Sequence, residues 1–242
     1  MKSYLNKTFV IDDPQARIRT DDDLLSYVME NGKPKLIPIG TQIKVSDAKV
    51  LKDSVFVRAD GFGWTAANNL KNDFLNETLA TFEPTSNDPK GPNAAWDAGQ
   101  YLKQLTLIQI VGADNTLKLI SNDIAEFYLK LVNDAAAAGV PLPLKSGFRT
   151  YPQQEYLYNG YIRHLPGFNL AAKPGFSNHE DGFAYDFAIG GYNGNPRYDW
   201  LKIHGPAHGF VRTVNREPWH WEYRPQVAAT GAFKIARVTD DA

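Results

Sequence analysis

The clearest periodic pattern of apolar positions lies near the middle of the chain. Between residues 117 and 138, apolar side chains recur at spacings of three and four, as on one face of an α-helix. The positions are Leu117, Ile120, Ile124, Phe127, Leu131 and Val132. Gly139 and Pro141 follow as a stop signal. The pattern predicts a helix over 117–138, and Pro152 in a first turn indicates a second helix over 152–164.

The N-terminal part shows the pattern of short strands instead. Gly40 separates two apolar stretches in residues 36–45 (LIPIGTQIKV), and a third stretch follows at 54–58 (SVFVR). Residues 60–65 (DGFGWT) combine a tight-turn signal with the start of another strand. Short strands with close turns favour a small β-barrel.

A stretch rich in Pro, Gly, Ser, Asn and Asp at 83–92 (EPTSNDPKGP) is the best candidate for a linker. Beyond residue 176, aromatic and β-branched residues alternate with Gly and Asn turns, which predicts strands. We therefore predict domains at 1–82 and 93–242. The predicted fold class is α+β: a small N-terminal β-barrel, then a domain with an antiparallel sheet flanked by helices.

Composition narrows the chemistry. The 242 residues carry a formal net charge of -1 without a basic cluster, so no nucleic-acid partner is indicated. The chain has no cysteine, which excludes disulfides, thiolate metal sites and a Cys nucleophile. The first residues (MKSYLNKTFVIDDPQ) lack the apolar core of a signal peptide, and no stretch is long and apolar enough for a membrane span. Because the chain has no cysteine, a metal must be held by His and carboxylate side chains.

Four residues suit such a metal site. His179 and Asp186 bracket a bend at Gly182, and His220 comes from a distant segment. Two imidazoles and a carboxylate form a ligand set that leaves a position for water or substrate on a catalytic zinc ion. Glu217, three residues before His220, is placed to accept a proton from water at the metal. Spacing alone leaves surface or core roles open for these side chains.

Three segments resemble a known peptidase family. The segment SNHEDGFAYDF at 177–187 resembles the S-x-H-x-x-G-x-A-x-D motif of the D-Ala-D-Ala carboxypeptidase family, the VanY- and VanX-like peptidases of family M15. EPWHWEY at 217–223 resembles its E-x-W-H motif, and SGFRTYPQQ at 146–154 resembles its S-G-[YF]-R-[ST]-x-x-x-Q segment. All three occur in the order of the family.

This resemblance implies roles for individual residues. It implies zinc ligation by His179, Asp186 and His220, a catalytic base at Glu217, and polarisation of the scissile carbonyl by Arg149. A guanidinium keeps its charge and has fixed donors, which suits a site where negative charge develops.

The remaining residues of the motifs receive supporting roles. Ser177 and Gln154 match positions near the substrate, and Trp219 is expected beside it as a packed wall. Glu180 and Asp181 are expected to be solvated turn residues, with a bond to a ligand imidazole as the alternative.

The N-terminal strands resemble a bacterial SH3-like module. The similarity lies in IRT at 18–20, IPIGTQIKV at 37–45 and GFGWTAANNL at 61–70. It implies a cell-wall-binding module, with an unrelated β-rich subdomain as the alternative.

These resemblances imply a zinc peptidase of peptidoglycan stem peptides, foremost a D-alanyl-D-alanine carboxypeptidase. An endopeptidase cutting between L-Ala and D-Glu is one alternative, and a non-catalytic, zinc-stabilised wall-binding protein is another. The substrate implies the cell envelope as the location. The segment 160–176, rich in Pro and Gly, is expected to form a flap over the site.

Overall fold

The computed structural model describes residues 4–21, 23–51, 54–71 and 76–239. Contacts between Cα atoms divide the chain into two compact units. The first unit runs up to Leu79 and also includes Ile110–Leu117, and the second comprises Ala80–Gln109 and the chain from Lys118 onward. The predicted linker at 83–92 has no helix or strand and lies within the second unit. The return of 110–117 to the first unit was not predicted.

The first unit contains an antiparallel sheet of four strands in the order β1-β4-β5-β6 and a separate hairpin of β2 and β3. The strands are β1 (Thr8–Val10), β2 (Met29–Glu30), β3 (Lys33–Pro34), β4 (Gln42–Leu51), β5 (Ser54–Ala59) and β6 (Gly63–Ala66). Its core is a cluster of buried aliphatic and aromatic side chains that includes Phe9, Ile43 and Val57. The strands predicted at 54–58 and from Gly63 are confirmed.

The predicted closed barrel is not shown among the described residues. Isolated bridges join Ile11 to Leu70 and Arg19 to Trp64, but they do not extend into a continuous ladder. The strand predicted at 36–45 begins only at Gln42. Pro38 has no N–H to donate and Gly40 adopts a φ of +81°, so the preceding residues form a turn.

Strands β7 (Thr78–Phe82), β10 (Leu107–Val111) and β11 (Leu117–Ser121) contain the points at which the chain passes between the units. The second unit has a four-stranded antiparallel sheet in the order β12-β13-β15-β14 and a hairpin of β8 and β9. Its strands are β8 (Ala94–Asp97), β9 (Gln100–Gln104), β12 (Leu144–Ser146), β13 (Ala184–Phe187), β14 (Phe210–Arg212) and β15 (His220–Tyr223). Antiparallel sheets with few helices confirm the mixed α and β class.

The helices of the second unit are α1 (Ala125–Ala137), α2 (Tyr151–Ile162), α3 (Pro196–His204) and α4 (Pro225–Ala228). Short 3-10 turns span Ala67–Asn69, Ala113–Asn115, Asn122–Ile124 and Gly205–His208. No helix in the described part of the chain is both long and apolar enough to span a membrane.

The predicted helix over 117–138 was wrong in its first part. Leu117–Ser121 is a strand, and the Ser121 side chain then accepts a hydrogen bond from the Asp123 N–H and starts a helical turn. Helix α1 buries Tyr128 against Tyr185 and Phe187 of β13, with ring centroids 5.0 and 6.1 Å apart. This packing holds β13 in place beneath the candidate site.

Helix α2 was predicted, whereas α3 was not. A capping box between Thr150 and Gln153 begins α2. Helix α3 begins at Pro196, after the N-cap Asn195, whose side chain accepts bonds from two backbone N–H groups. It buries only Tyr198 and Leu201. So short an apolar face gives little periodic signal.

Candidate metal centre

The register of the main sheet places two of the predicted ligands side by side. Strands β13 and β15 are antiparallel, and Asp186 lies directly opposite His220. Side chains opposite each other in such a ladder point to the same face with Cβ atoms about 5 Å apart. The Asp186 Oδ1 and the His220 Nδ1 are 3.0 Å apart. Residues 34 positions apart in the chain therefore meet because of one strand pairing.

His179 reaches the same point from the turn before β13. Gly182 has a φ of +84°, a conformation that residues with a Cβ rarely adopt. A Cβ there would also lie 2.9 Å from Leu105 and 3.0 Å from Ser121. The bend expected at Gly182 is present, and it brings the His179 Nε2 to 3.2 Å from the Asp186 Oδ2.

Each imidazole is oriented by a bond on its far nitrogen. The His179 Nδ1 lies 2.9 Å from the Gly147 carbonyl, which can only accept, so this nitrogen carries the proton. The His220 Nε2 lies 3.1 Å from the Glu222 Oε1. These bonds leave the His179 Nε2 and the His220 Nδ1 directed at Asp186. One ligand atom of each side chain lies within 4.8 Å of the others.

The donor set fits zinc. Two imidazole nitrogens and one carboxylate oxygen are typical ligands of a catalytic zinc ion, and each metal-binding imidazole normally donates its other N–H to a carboxylate or a carbonyl. Both arrangements are present here, at Glu222 and at Gly147. The structure thus brings the three predicted ligands together in a form that can accept the ion.

Sequence reasoning assigned no role to Glu222, which is the centre of a buried polar network. Its carboxylate accepts bonds from His220, Asn178 and Thr213 and forms an ion pair with Arg224. The residue is 1% exposed. A signal was available, because residues two apart in a strand share a face and His220 precedes Glu222 by two.

The network shifts the titration of its members. Burial alone would raise the pKa of Glu222, but the bond from His220 and the charge of Arg224 lower it to about 2. Burial opposes the charged form of His220, whereas its bonds to Asp186 and Glu222 raise its pKa to about 9. Burial would raise the pKa of Asp186, but the hydrogen bonds from both imidazoles outweigh this effect and hold the pKa well below its usual range. A metal ion held by His220 would therefore compete with a proton for this imidazole.

Arg149 is held next to this group. Its Nη1 donates to the Gln154 Oε1 at 2.7 Å, and its Nη2 lies 3.2 Å from the Ser146 Oγ. Burial lowers the pKa of Arg149, while the charges of nearby Asp186, Glu180 and Glu217 act in the opposite direction. The guanidinium thus remains a cation in a partly desolvated position facing carboxylates.

Gln154 is fully buried, and both atoms of its amide are used within the protein. Besides accepting from Arg149, it donates from Nε2 to the Ala172 carbonyl at 2.6 Å. Ala172 lies in the segment expected to form a flap. This geometry favours a role of Gln154 in orienting Arg149. The contact of Gln154 with substrate stays a prediction.

Glu217 and Trp219 are more open to solvent than the three ligands. The Glu217 Oε2 is 3.9 Å from the His220 Nδ1, and its side chain is 38% exposed. Trp219 is 36% exposed. Ser177 is buried, and its Oγ lies 3.4 Å from the backbone N–H of His179. The predicted roles of Ser177 and Trp219 at the substrate stay predictions.

Glu180 and Asp181 are not the solvated turn residues that were expected. Glu180 is fully buried and accepts bonds from the backbone N–H groups of Gly175 and Ser177. Asp181 is 7% exposed and pairs with Arg224 at 3.1 Å. Burial raises the pKa of Glu180 to about 7 and that of Asp181 to about 6. Both carboxylates act as internal supports for the turn that carries His179.

The other two histidines between the motifs have packing roles. His208 lies 3.4 Å from a carboxylate oxygen of Asp134, and the His204 ring lies 4.8 Å from that of Trp200. Neither belongs to the group of His179, Asp186 and His220.

Comparison with known proteins points to the same family as the motifs. Residues 117–226 match the sequence model of VanY, described as D-alanyl-D-alanine carboxypeptidase. A D-alanyl-D-alanine carboxypeptidase of Enterococcus faecalis (strain ATCC 700802 / V583) is 33% identical over 131 residues, covering 44% of this chain and 49% of the relative. The chain thus spans about half the length of that curated relative.

Solved structures of similar proteins include two of VanY enzymes. One is a mutant of the vancomycin resistance D,D-pentapeptidase VanY from a VanB-type cassette in complex with Zn(II), at 26% identity and a TM-score of 0.41. The alignment covers 56% of this chain and 86% of that one. The other is VanYB in complex with D-alanine-D-alanine, at 22% identity, a TM-score of 0.45, and coverage of 56% and 88%.

Proposed function

We propose that this protein is a zinc-dependent peptidase of peptidoglycan stem peptides, and that its principal activity is that of a D-alanyl-D-alanine carboxypeptidase. One observation carries the proposal. The possible ligand atoms of His179, Asp186 and His220 lie close together, and a hydrogen bond on the far nitrogen orients each imidazole. Arg149 and Glu217 lie next to this group. The match of residues 117–226 to the VanY sequence model supports the choice of substrate.

Zinc bound by His179, Asp186 and His220 would supply Lewis-acid activation of water and of the scissile carbonyl. The protein's own groups handle the proton and the developing charge. The half-exposed carboxylate of Glu217 accepts a proton from the attacking water and passes it to the nitrogen of the leaving amine. Formation of the C–O bond precedes cleavage of the C–N bond, and the products are a carboxylate and an ammonium group, which receives both protons of the water.

Arg149 stabilises the oxyanion that forms at the carbonyl oxygen. Gln154 and Ser146 hold its guanidinium on one side, so its remaining donors are fixed in direction before substrate arrives. This preorganisation is the property that a flexible lysine at the same position would lack.

The decisive experiment replaces the proposed base. We expect Glu217→Gln to lower kcat by about 10² to 10⁴, the range of general acid–base catalysis, with zinc content unchanged. The exposed Glu155 on α2 provides the matched control, since Glu155→Gln removes the same charge from a residue outside the group of His179, Asp186 and His220. Near-normal turnover of the Glu217→Gln protein with stoichiometric zinc would refute the mechanism.

Mass spectrometry of digested muropeptides, with and without chelator, separates the alternatives. Loss of a single alanine identifies the carboxypeptidase, whereas cleavage between L-Ala and D-Glu identifies the endopeptidase. No product despite stoichiometric zinc would favour the non-catalytic wall-binding protein. The carboxypeptidase named in the similar relative favours the first outcome.

We further propose that the first unit is an SH3-like module that binds the cell wall, and that the protein acts in the cell envelope. The support is the sheet of short antiparallel strands together with the similarity of residues 18–20, 37–45 and 61–70 to such modules. Binding of the full chain to purified sacculi, measured by co-sedimentation, tests this part of the proposal.

A further inference from the structure

The first unit contains a cleft that no step of the proposed reaction uses. Its volume is about 270 Å³, and all residues that line it belong to the first unit. Ligand pockets for drug-sized molecules hold about 300–1,000 Å³. The cleft lies just below this range, so it can hold a small ligand or a short part of a chain but not a folded partner.

Part of the cleft lining is basic and aromatic. The guanidinium carbons of Arg17 and Arg19 lie 5.3 and 4.9 Å from the centroid of the Tyr27 ring. Arg19 also lies 4.9 Å from the Phe56 centroid, and it donates to the Leu24 carbonyl at 2.8 Å. Among the described residues, neither arginine forms an ion pair with a carboxylate.

The two arginines differ in what they do for the fold. Arg19 is half-buried and anchors the loop at Leu24, so part of its role is structural. Arg17 is exposed and its side chain contacts Tyr27 at the surface of the cleft. Its charge is thus available to a ligand with little loss of side-chain conformational entropy, because the Tyr27 ring already restrains the guanidinium.

The cleft lining also contains two acidic residues, Asp13 and Asp114. Asp114 is exposed and has a φ of +55°. The Nδ2 of the next residue, Asn115, is buried and donates to the carbonyls of Ala67 at 2.6 Å and Leu70 at 3.1 Å. These bonds fix the backbone of the 3-10 turn that presents Asp114.

We propose that this cleft is a second binding site, for a short peptide stretch that carries both a carboxylate and an ammonium group. The carboxylate binds at Arg17, and the ammonium group binds at Asp13 and Asp114. The paired signs argue against a nucleic acid, whose phosphates the two aspartates would repel, and the polar lining argues against an apolar ligand. The inference rests on the proposed function only in the choice of a stem peptide as the probe.

The test uses the full chain with Glu217→Gln, so that the probe is not consumed. The probe is the free pentapeptide L-Ala-γ-D-Glu-L-Lys-D-Ala-D-Ala. NMR follows the Tyr27 ring and the backbone amide of Asn68, which both line the cleft, during the titration. We expect saturable shifts at both positions. Adding Arg17→Glu should weaken this binding at least tenfold, because an attractive charge contact becomes a repulsive one.

Arg58→Glu is the matched control, since Arg58 is an exposed arginine of the first unit that does not line the cleft. We expect it to leave the dissociation constant within about twofold. A pentapeptide with acetylated amines and amidated carboxyl groups should fail to shift Tyr27 at the same concentrations, which tests the need for charge without changing the protein.

Two results would overturn the proposal: shifts confined to the second unit, or equal shifts at Tyr27 with the charged and the blocked peptide. Its failure is separate from that of the proposed function. Hydrolysis by the wild-type chain with no shift at Tyr27 rejects the cleft alone. Binding at Tyr27 without hydrolysis rejects the peptidase alone.

Discussion

The two units bury different kinds of side chain. Among the described residues, every buried charged or imidazole side chain belongs to the second unit: His179, Glu180, Asp181, Arg212, His220 and Glu222. The buried polar residues of the first unit are uncharged, namely Thr65, Asn69, Asn76 and Asn115. The charges that line its cleft are instead exposed or half-buried, as for Arg17 and Arg19.

This difference reflects two uses of charge. Burying an ion costs free energy unless partners satisfy it, but a buried and paired ion keeps its position and can orient a metal ligand. An exposed ion costs little and remains available to a ligand from solution, with weaker and salt-dependent interactions. The buried charges of the second unit therefore suit preorganisation, and the exposed charges of the first unit suit the reversible binding that we propose for it.

The largest effect should follow from removing the central buried charge. Glu222→Ala removes the carboxylate that pairs with both His220 and Arg224, and loss of one partner of a buried pair costs about 3–5 kcal/mol of unfolding free energy. Loss of the bond that orients His220 should also weaken zinc binding about 10- to 100-fold. Urea denaturation and competition with a chromophoric chelator measure the two effects.

Glu222→Gln sharpens that test, because it keeps an acceptor for His220 and removes only the charge. Its zinc affinity should fall between those of the wild type and the alanine variant. Equal zinc affinity of all three proteins would show that Glu222 does not orient His220.

Arg149→Lys should act on the reaction and little on the fold. A lysine cannot keep both the bond to Gln154 and a fixed donor toward the substrate, so we expect kcat to fall about 10²- to 10³-fold, as for loss of one oxyanion donor. Steady-state kinetics on a D-Ala-D-Ala peptide provide the measurement. A rise in KM with kcat unchanged would instead assign Arg149 to substrate binding alone.

Gly182→Ala tests the bend that brings His179 to the other ligands. The residue has a φ of +84°, and a Cβ would meet Leu105 and Ser121 at 2.9 and 3.0 Å. We expect about 1–3 kcal/mol of lost unfolding free energy, together with weaker zinc binding. Gly231→Ala is the matched control, since its φ is +76° but nothing lies within 4 Å of the added Cβ. A control that destabilises as much would mean that backbone strain, rather than crowding, determines the cost.

The smallest effect should come from an exposed charge of the first unit. Asp23 accepts backbone bonds from Ser26 and Leu25 and a bond from the Ser26 side chain, which lower its pKa from 3.8 to about 2. The stabilisation is present above the unfolded pKa and is lost as the pH falls through the folded value. Between about pH 4 and pH 2, the wild type should therefore lose slightly more stability than Asp23→Asn.

Thermal unfolding of the full chain across this pH range is the measurement. Ser26→Ala, which removes one of the side-chain bonds to Asp23, should show part of the difference. Identical pH profiles of stability for the wild type and Asp23→Asn would show that the exposed charge of Asp23 does not stabilise the first unit.

Local patterns determined a definite part of this molecule. The apolar stretch and the Gly turn signal marked the strands at 54–58 and from Gly63, and Pro152 in a first turn marked α2. The motifs alone indicated His179, Asp186 and His220, because the residue types of the ligands and of their chain neighbours can be read from the sequence. These features depend on residues a few positions apart.

The tertiary structure decided what depends on distant residues. The register of β13 against β15 places Asp186 beside His220, and the carbonyl of Gly147, which has no side-chain signature, orients His179. The apolar spacing of residues 117–121 predicted a helix, but Leu117–Ser121 is a strand. In each case the free energy is gained by burial and pairing between segments far apart in sequence, and local periodicity contains no information about which segments will pair.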